Sequence, residues 1–178
     1  VDQAYRLGQD NIVISNWLKC MLENIGAKVD SVIPNGLNFE EFYPEKVSNS
    51  GNIRVLLPYR NIKWKGIEDG IKAFQIVKEQ YPSLQLVMFG PSPDTNKLPE
   101  DVEFHLNPVK ERLRRIYNSC DIFVFPSHCE GFGLPPMEAM ACQCSVVTTN
   151  VGAVPEYTIP GQTALVCEPR DVDTMTKY

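Results

Sequence analysis

Residues 121–138, DIFVFPSHCEGFGLPPME, decide the fold of this chain. The run opens with the apolar tetrapeptide 122–125, which has the length and composition of a buried β-strand. A glycine-containing loop follows, and then residues 134–142, where early prolines and a helix-forming tail predict a helix start. Glycines let the backbone approach a ligand, and the unpaired N–H groups of a first helical turn attract negative charge. Strand, loop and helix together predict an anion site.

Two carboxylates frame this predicted anion site. Glu130 lies in the loop, and Glu138 lies in the first turn of the predicted helix. A carboxylate repels a phosphate, but its two oxygens can accept two O–H bonds at once, as from the vicinal hydroxyls of a ribose or a hexose. A diphosphate flanked by a ribose and a hexose is a nucleotide sugar, so the pattern indicates a nucleotide-sugar site.

The stretch PSHCEGFGLPPMEAMA also resembles a family signature, because seven residues separate Glu130 from Glu138. It is similar to the E-x7-E motif of retaining glycosyltransferases of the GT-B type, family four (glycosyl transferases group 1). The resemblance covers nearly the whole chain and implies the C-terminal, donor-binding half of a GT-B architecture. It implies that Glu130 contacts the donor hexose as a catalytic residue and that Glu138 holds the ribose. It also assigns donor binding to Gly131, Phe132, Gly133 and Leu134.

A second region, residues 58–66, resembles the family in the positions of its arginine and lysine. The family usually carries a glycine, a small residue and an arginine after its first strand, and then a Lys-Gly pair. Arg60 and Lys65 match this pattern, whereas Pro58 and Tyr59 stand before the arginine in place of the glycine. The resemblance implies that both cations are catalytic and stabilise the leaving diphosphate, which a guanidinium fork and an ammonium can do. By chemistry alone, the pair is equally well explained as exposed cations on a loop.

Strands alternate with helices along the chain, which predicts an α/β fold with a Rossmann-like, doubly wound parallel sheet. Ligands of such sheets bind at the carboxyl ends of the strands. Arg60, Gly90, Val109 and Glu130 all follow or end predicted strands, so we expect them at one edge of the sheet. Gly90 ends its strand where a nucleotide could approach, and the resemblance places Val109 near the base. The predicted strands are 10–15, 53–58, 84–90, 102–105, 121–126, 145–149 and 164–167, and the predicted helices are 16–24, 68–80, 110–120, 134–142, 171–178 and a short one near 156.

The first strand and helix resemble the end of the family's N-terminal domain. Residues 1–30 are therefore interpreted as the end of that domain and a linker, and residues 31–178 as the nucleotide-sugar-binding domain, truncated at its last helix. The chain does not begin with methionine, and we expect it to be a piece of a longer protein. Asn35-Gly36 predicts a surface turn and equally resembles the family's interdomain segment.

The composition and charge of the chain limit the classes of ligand that it can bind. The chain has 178 residues, and 43% of them are hydrophobic, as in ordinary globular proteins. Its net charge of −5 argues against nucleic acid as the main ligand. The basic set Lys110, Arg112, Arg114 and Arg115 is interpreted as a solvated helix face. No apolar run approaches the roughly 20 residues that span a bilayer. Cysteines without paired spacing favour reduced thiols, so we expect a cytoplasmic protein. Contact with a membrane surface, and with a glycan or lipid acceptor, would come through the rest of the longer protein.

No metal or other cofactor is expected. Six cysteines without C-x-x-C spacing and two histidines favour reduced thiols over a metal site. The G-x-G at 131–133 has Pro136 where a dinucleotide motif needs its third glycine, so NAD binding is rejected. The D-x-D at 171–173 matches a metal motif of other glycosyltransferases, but it begins a predicted helix, where acids cap the N-terminus.

Two functions are compared. The first is hexosyl transfer from a nucleotide-diphospho-sugar to an acceptor hydroxyl, with this chain alone expected to be inactive. The second is a non-catalytic nucleotide- or sugar-phosphate-binding module, which would not need both glutamates and both cations. His128 is interpreted as structural or solvated more readily than catalytic. Phe132 is left open between covering the sugar and anchoring the loop.

Overall fold

The computed structural model describes residues 2–5, 7–8, 10–47 and 51–178. Its elements, in chain order, are α1 (Asp2–Tyr5), β1 (Ile12–Val13), α2 (Asn16–Asn24), β2 (Ser31–Val32), β3 (Arg54–Pro58), α3 (Ile67–Gln80), β4 (Gln85–Gly90), β5 (Glu103–Leu106), α4 (Lys110–Asn118), β6 (Ile122–Phe125), α5 (Leu134–Ala141), β7 (Ser145–Thr149), α6 (Val154–Tyr157), β8 (Leu165–Cys167) and α7 (Val172–Lys177). Single turns of 3-10 helix lie at Lys63–Lys65 and Thr95–Lys97.

Six strands form one parallel sheet in the order β5-β4-β3-β6-β7-β8. The chain builds outward from β3 to β5, returns to place β6 beside β3, and then builds outward in the other direction to β8. This is the predicted doubly wound, Rossmann-like sheet. Connections leave β3 and β6 in opposite directions, so a crevice opens at their carboxyl ends, which is where such sheets bind ligands.

The sheet is covered on both faces, which explains the continuous apolar runs of its strands. Successive side chains of β6 point to opposite faces, so Phe123 and Phe125 enter the core under α4 and α5, whereas Val124 enters the core under α3 and α7. Strand β3 alternates in the same way, with Leu56 on the first side and Leu57 on the second.

A small unit formed by residues 10–33 lies outside the large sheet. β1 and β2 pair in parallel, and Val13, Leu22 and Ala27 form their own apolar cluster. The Ser15 side chain caps α2 by accepting a hydrogen bond from the N–H of Leu18 at 3.1 Å. Strand β2 was not predicted, since two residues carry no periodicity. The division of the chain after residue 30 remains a prediction.

Most predicted elements lie within one or two residues of those observed, and α2 has the predicted bounds. One predicted strand was too long, and one predicted turn was wrong. The strand predicted at 10–15 is present but consists of Ile12–Val13 alone. The turn predicted at Asn35-Gly36 lies instead at 39–41, because the Asn38 side chain accepts a hydrogen bond from the Glu40 N–H at 2.9 Å.

The helices in the described ranges lack the length and apolar character that crossing a bilayer requires.

Candidate functional site

The loop after β6 carries Glu130 to the switch point of the sheet. The Glu130 side chain is 10% exposed, and its Oε1 accepts hydrogen bonds from Lys65 Nζ and Ser127 Oγ, both at 2.7 Å. Lys65 comes from the connection that follows β3. A largely buried ion pair is stable only when its polar atoms are further hydrogen-bonded, which Ser127 provides here. The pair joins the two sides of the crevice.

Close backbone packing holds these two loops together. Gly66, directly after Lys65, has φ of +61°, and a Cβ built on it would lie 1.9 Å from the Pro126 carbonyl oxygen. The backbone N–H of His128 donates to the Trp64 carbonyl at 2.7 Å. Only glycine allows this approach, so the loop that carries Lys65 and the loop that carries Glu130 have one relative position.

His128 contacts a neighbouring helix. Its Nε2 lies 2.6 Å from Oδ2 of Asp69, which is in the first turn of α3. Both side chains are half-buried. This contact ties the β6 loop to α3 and fits the structural interpretation of His128.

Arg60 follows β3 at the same edge of the sheet. It is exposed, and its guanidinium donates to the Tyr59 carbonyl at 3.1 Å. A guanidinium has five N–H donors, so donors remain for a phosphate beyond this one contact.

The glycine loop is anchored by its aromatic residue. The Phe132 side chain is 7% exposed and its ring centroid lies 5.6 Å from that of Tyr157. The Tyr157 hydroxyl donates to the Gly133 carbonyl at 2.6 Å. Of the two roles left open for the Phe132 ring, the structure therefore supports anchoring. Gly133 is the N-cap of α5, and the N–H groups of the first turn follow it.

Glu138 lies in the second turn of α5, not in the first turn as predicted, because the helix begins at Leu134, and its side chain faces α4. Its Oε2 accepts a hydrogen bond from the Tyr117 hydroxyl at 2.9 Å. Burial raises the pKa of the Glu138 carboxyl, and the hydrogen bond from Tyr117 offsets part of that rise. Burial also raises the pKa of Tyr117, and the charge of Glu138 adds to it, so the phenol remains a donor. The sequence indicated only that Tyr117 points inward.

Gly90 and Val109 lie at the carboxyl ends of β4 and β5. A Cβ on Gly90 would lie 2.2 Å from the Tyr59 carbonyl oxygen, so the packing of β3 on β4 already requires glycine there. Val109 is the N-cap residue of α4 and is 68% exposed, and Leu106 at the end of β5 is also exposed. An exposed apolar pair at this edge could cover a flat ring.

The parallel sheet confirms that Arg60, Gly90, Val109 and Glu130 share one edge. Of the predicted site residues, Glu130 and Lys65 are in direct contact. Sequence reasoning missed Ser127 and Tyr117, which support the two carboxylates. Neither residue type indicates such a role before its partner is known.

The basic set on α4 is exposed at Lys110, Arg112 and Arg115, as predicted for a solvated face, and differs from that prediction at Arg114. Arg114 is 12% exposed; it donates to Glu45 at 3.2 Å and its guanidinium lies 4.3 Å from the Tyr43 ring centroid. Lys110 Nζ lies 2.6 Å from Glu41 Oε2. These cations hold the segment 38–47, because that segment supplies the matching acids.

The cysteines are unpaired in the structure, four of them buried and two, Cys20 and Cys129, exposed. Asp171 caps α7 as predicted, accepting a hydrogen bond from the Thr174 N–H at 2.9 Å. Across the described ranges, the acidic, histidine and cysteine side chains form no group of three or more that could hold a metal ion.

A doubly wound parallel sheet with charged loops meeting at its switch point is the Rossmann-like architecture of the C-terminal domain of GT-B glycosyltransferases. The chain belongs to the family described as glycosyl transferases group 1, whose model matches residues 38–178.

Relatives agree with this membership. The chain is 30% identical over 167 residues to an uncharacterized glycosyltransferase, YqgM, of Bacillus subtilis, covering 88% of this chain and 46% of the relative. It is 31% identical over 153 residues to the capsular polysaccharide biosynthesis glycosyltransferase CapM of Staphylococcus aureus, covering 77% of this chain and 40% of the relative. The chain thus spans less than half the length of these curated relatives.

Solved structures show the same fold. Sucrose-phosphate synthase from Thermosynechococcus elongatus superposes with a TM-score of 0.84 at 26% identity, over 99% of this chain and 49% of that one. Anabaena Alr3699/HepE in complex with UDP-glucose superposes with a TM-score of 0.81 at 18% identity, over 99% of this chain and 54% of that one.

Proposed function

We propose that this chain forms the donor-binding part of a retaining hexosyltransferase, which moves a hexose from a nucleotide diphosphate to an acceptor hydroxyl. The observation that carries the proposal is the ion pair of Glu130 and Lys65 across the switch point. In the free protein each neutralises the other. When donor binds, the diphosphate attracts Lys65, and Glu130 becomes free to accept hydrogen bonds from the hexose hydroxyls.

The remaining roles follow from charge and position. Arg60 joins Lys65 in stabilising the charge that develops on the leaving diphosphate. The backbone of residues 131–134 and the N-terminus of α5 carry the phosphates, which makes a metal ion unnecessary. Glu138, at the far end of the E-x7-E motif, holds the ribose. The ends of β4 and β5, at Gly90 and Val109, receive the nucleoside.

The proposal extends to the whole protein. Residues 1–30 would be the end of an N-terminal domain that holds the acceptor, a glycan or a lipid, and residues 31–178 the donor domain. This chain covers 46% and 40% of its relatives YqgM and CapM, which supports a further domain in the longer protein. We expect this chain alone to bind donor without transferring the sugar. Free cysteines fit a reducing compartment, the cytoplasm.

Calorimetric titration with UDP, GDP, ADP and their hexose conjugates tests the donor site. UDP and UDP-glucose come first, since Anabaena HepE was solved with UDP-glucose. We expect Lys65→Ala to weaken nucleotide and nucleotide sugar alike, by about tenfold or more for one lost phosphate contact. Glu130→Gln should weaken only the nucleotide sugar.

Lys63→Ala is the matched control, because Lys63 is an exposed lysine of the same helical turn. Equal affinities of the Lys63 and Lys65 variants, or no binding of any diphosphate by the native chain, would contradict the proposal. Binding of UDP-glucose with unchanged affinity in Glu130→Gln would indicate a non-catalytic nucleotide-binding module. Release of UDP in the presence of acceptors would contradict the expected inactivity of the chain alone.

A further inference from the structure

Tyr117 stands out among the buried polar groups because its environment is otherwise apolar. It is wholly buried on α4, and the rings of Phe42, Phe89 and Phe123 meet its ring edge-on at centroid distances of 5.5–6.0 Å. A phenol in such a cluster is expected to be replaced by phenylalanine unless its hydroxyl has a partner, since an unpaired buried hydroxyl is costly.

The partner of that hydroxyl is Glu138. The Tyr117 hydroxyl donates to Oε2 at 2.9 Å. A carboxylate has about four lone-pair positions, so this bond leaves the other oxygen and part of Oε2 available. The ring is fixed by three aromatic neighbours, and the bond therefore fixes the carboxylate as well.

We propose that Tyr117 is a positioning residue of the donor site, whose buried hydroxyl orients the Glu138 carboxylate so that its remaining lone pairs accept the two ribose hydroxyls. The inference rests on the proposed function, which gives the ribose to Glu138. It adds the group that orders this carboxylate before the nucleotide arrives. An ordered acceptor loses less conformational freedom on binding, so the bidentate contact becomes stronger.

The charges around Glu138 make the role measurable. Tyr117 and Lys110 face it from α4, Glu41 from the segment 38–47, and Cys142 from the end of its own helix. Burial raises the pKa of Glu138, whereas the bonds and charges of Tyr117 and Lys110 lower it. Without the hydroxyl the pKa rises further, and a protonated carboxyl is a poorer acceptor for ribose.

The test compares ribose recognition in the native chain and in Tyr117→Phe. UDP, GDP and ADP are each titrated beside their 2′,3′-dideoxy counterparts, so that base and phosphate contacts cancel. We expect the native chain to prefer the ribose form by about tenfold to hundredfold, as hydrogen bonds to a charged group provide. Tyr117→Phe should lower this preference by about threefold to tenfold and leave the affinity for the dideoxy form unchanged.

The pH profile gives a second readout that a purely structural role would not change. The native preference should fall as the pH drops through the raised pKa of Glu138. In Tyr117→Phe the fall should begin at higher pH, because a hydrogen bond that lowers this pKa is gone.

Tyr59→Phe is the control, since it removes another buried hydroxyl, one that accepts from the Asp94 N–H at 2.9 Å. An unchanged ribose preference in Tyr117→Phe, or equal losses for both nucleotide forms, would overturn the role of Tyr117. Absence of a ribose preference in the native chain would overturn the assignment of Glu138 itself, and the inference with it.

Discussion

Glu138, for which we propose a ribose contact, carries a carboxylate that is unfavourable for folding. Burial raises the pKa of its carboxyl above the ordinary value of 4.5. The folded chain therefore favours the protonated form, and the ionised form lowers stability once the pH exceeds the ordinary value. The hydrogen bond from Tyr117 reduces this penalty without removing it. Sites that hold charged ligands commonly keep such groups at a cost in stability.

Glu138→Gln should therefore stabilise the chain while weakening the proposed ribose contact. A glutamine oxygen can still accept the Tyr117 hydrogen bond, and no charge is buried. We expect the free energy of unfolding at pH 7 to rise by about 1 kcal/mol, as measured by urea denaturation. The gain should disappear as the pH falls below the raised pKa, where the native carboxyl is also neutral.

Glu100→Gln is the control for that experiment, since Glu100 is exposed and its replacement should change stability by less than about 0.5 kcal/mol. A loss of stability at pH 7 in Glu138→Gln would show that the carboxylate is net favourable in the fold.

Gly66 is the residue on which the approach of the two charged loops depends. Gly66→Ala would place a methyl group against the Pro126 carbonyl in a backbone conformation that alanine disfavours. We expect a loss of about 3 kcal/mol in unfolding free energy, the sum of backbone strain and a steric clash. Urea denaturation followed by circular dichroism measures it.

Gly161→Ala separates the two causes, because Gly161 has φ of +76° and open space around its Cβ position. Gly161→Ala should lower the unfolding free energy by the cost of backbone strain alone, about 1 kcal/mol. Equal losses in the two variants would mean that the Pro126 contact relaxes without cost.

At the scale of elements, the notable contact is between α4 and the segment 38–47. The Arg114 guanidinium donates hydrogen bonds to the Glu45 carboxylate and to the Glu41 carbonyl, and it stacks on the Tyr43 ring. The Asn118 side chain accepts a hydrogen bond from the Glu45 N–H and donates one to the Tyr43 carbonyl of the same segment. Phe42 then enters the core against Tyr117. The segment thus packs against the helix that carries the partner of Glu138.

Arg114→Lys should loosen this contact. A lysine keeps the charge but loses the planar fork that bonds and stacks at once. We expect a loss of about 1–2 kcal/mol in unfolding free energy, together with faster proteolysis within residues 38–47.

Arg115→Lys is the matched control on the next residue, which is 67% exposed and lies 3.8 Å from Glu45. Exposed pairs contribute little, so its loss should stay below about 0.5 kcal/mol. Comparable losses at the two positions would show that charge alone holds the segment.

At the scale of the whole molecule, the small unit of residues 10–33 docks on the loop between β6 and α5. The Ser15 hydroxyl donates to the Gly131 carbonyl at 3.2 Å. The Glu156 carboxylate, from α6, accepts hydrogen bonds from the backbone N–H groups of Asn16 and Trp17 at 3.0 and 2.9 Å. An acid of the large domain thus caps a helix of the small unit.

Glu156→Gln should weaken this docking. Burial opposes the shift, but the bonds from Asn16 and Trp17 hold the pKa of Glu156 below its ordinary value. The stabilisation is therefore present above the ordinary value of 4.5 and is lost as the pH falls through the lowered pKa. We expect hydrogen exchange of the α2 amides to accelerate severalfold at pH 7, with the six-stranded sheet unchanged.

Glu168→Gln is the control, because it removes an acid that does not cap α2. The Glu168 carboxylate accepts a hydrogen bond from the Asn150 side chain at 3.0 Å. If hydrogen exchange in Glu156→Gln accelerated equally in the small unit and in the six-stranded sheet, that result would contradict a local capping role for Glu156.

The sequence by itself determined the order and bounds of most elements, and it placed Glu130, Lys65, Arg60 and Glu138 on loops and helix starts. Those features depend on local patterns, such as apolar runs, glycines and capping residues, which act within a few residues. Parallel connections also restrict which edge of the sheet the loops share.

Only the tertiary structure decided which of these groups touch. The contact of Glu130 with Lys65, the bond from Tyr117 to Glu138 and the packing of α4 against residues 38–47 join positions distant in sequence. Such contacts depend on strand order and on how helices pack across the sheet. Any tyrosine on an inward helix face has the same local signature, so its partner is set by packing alone.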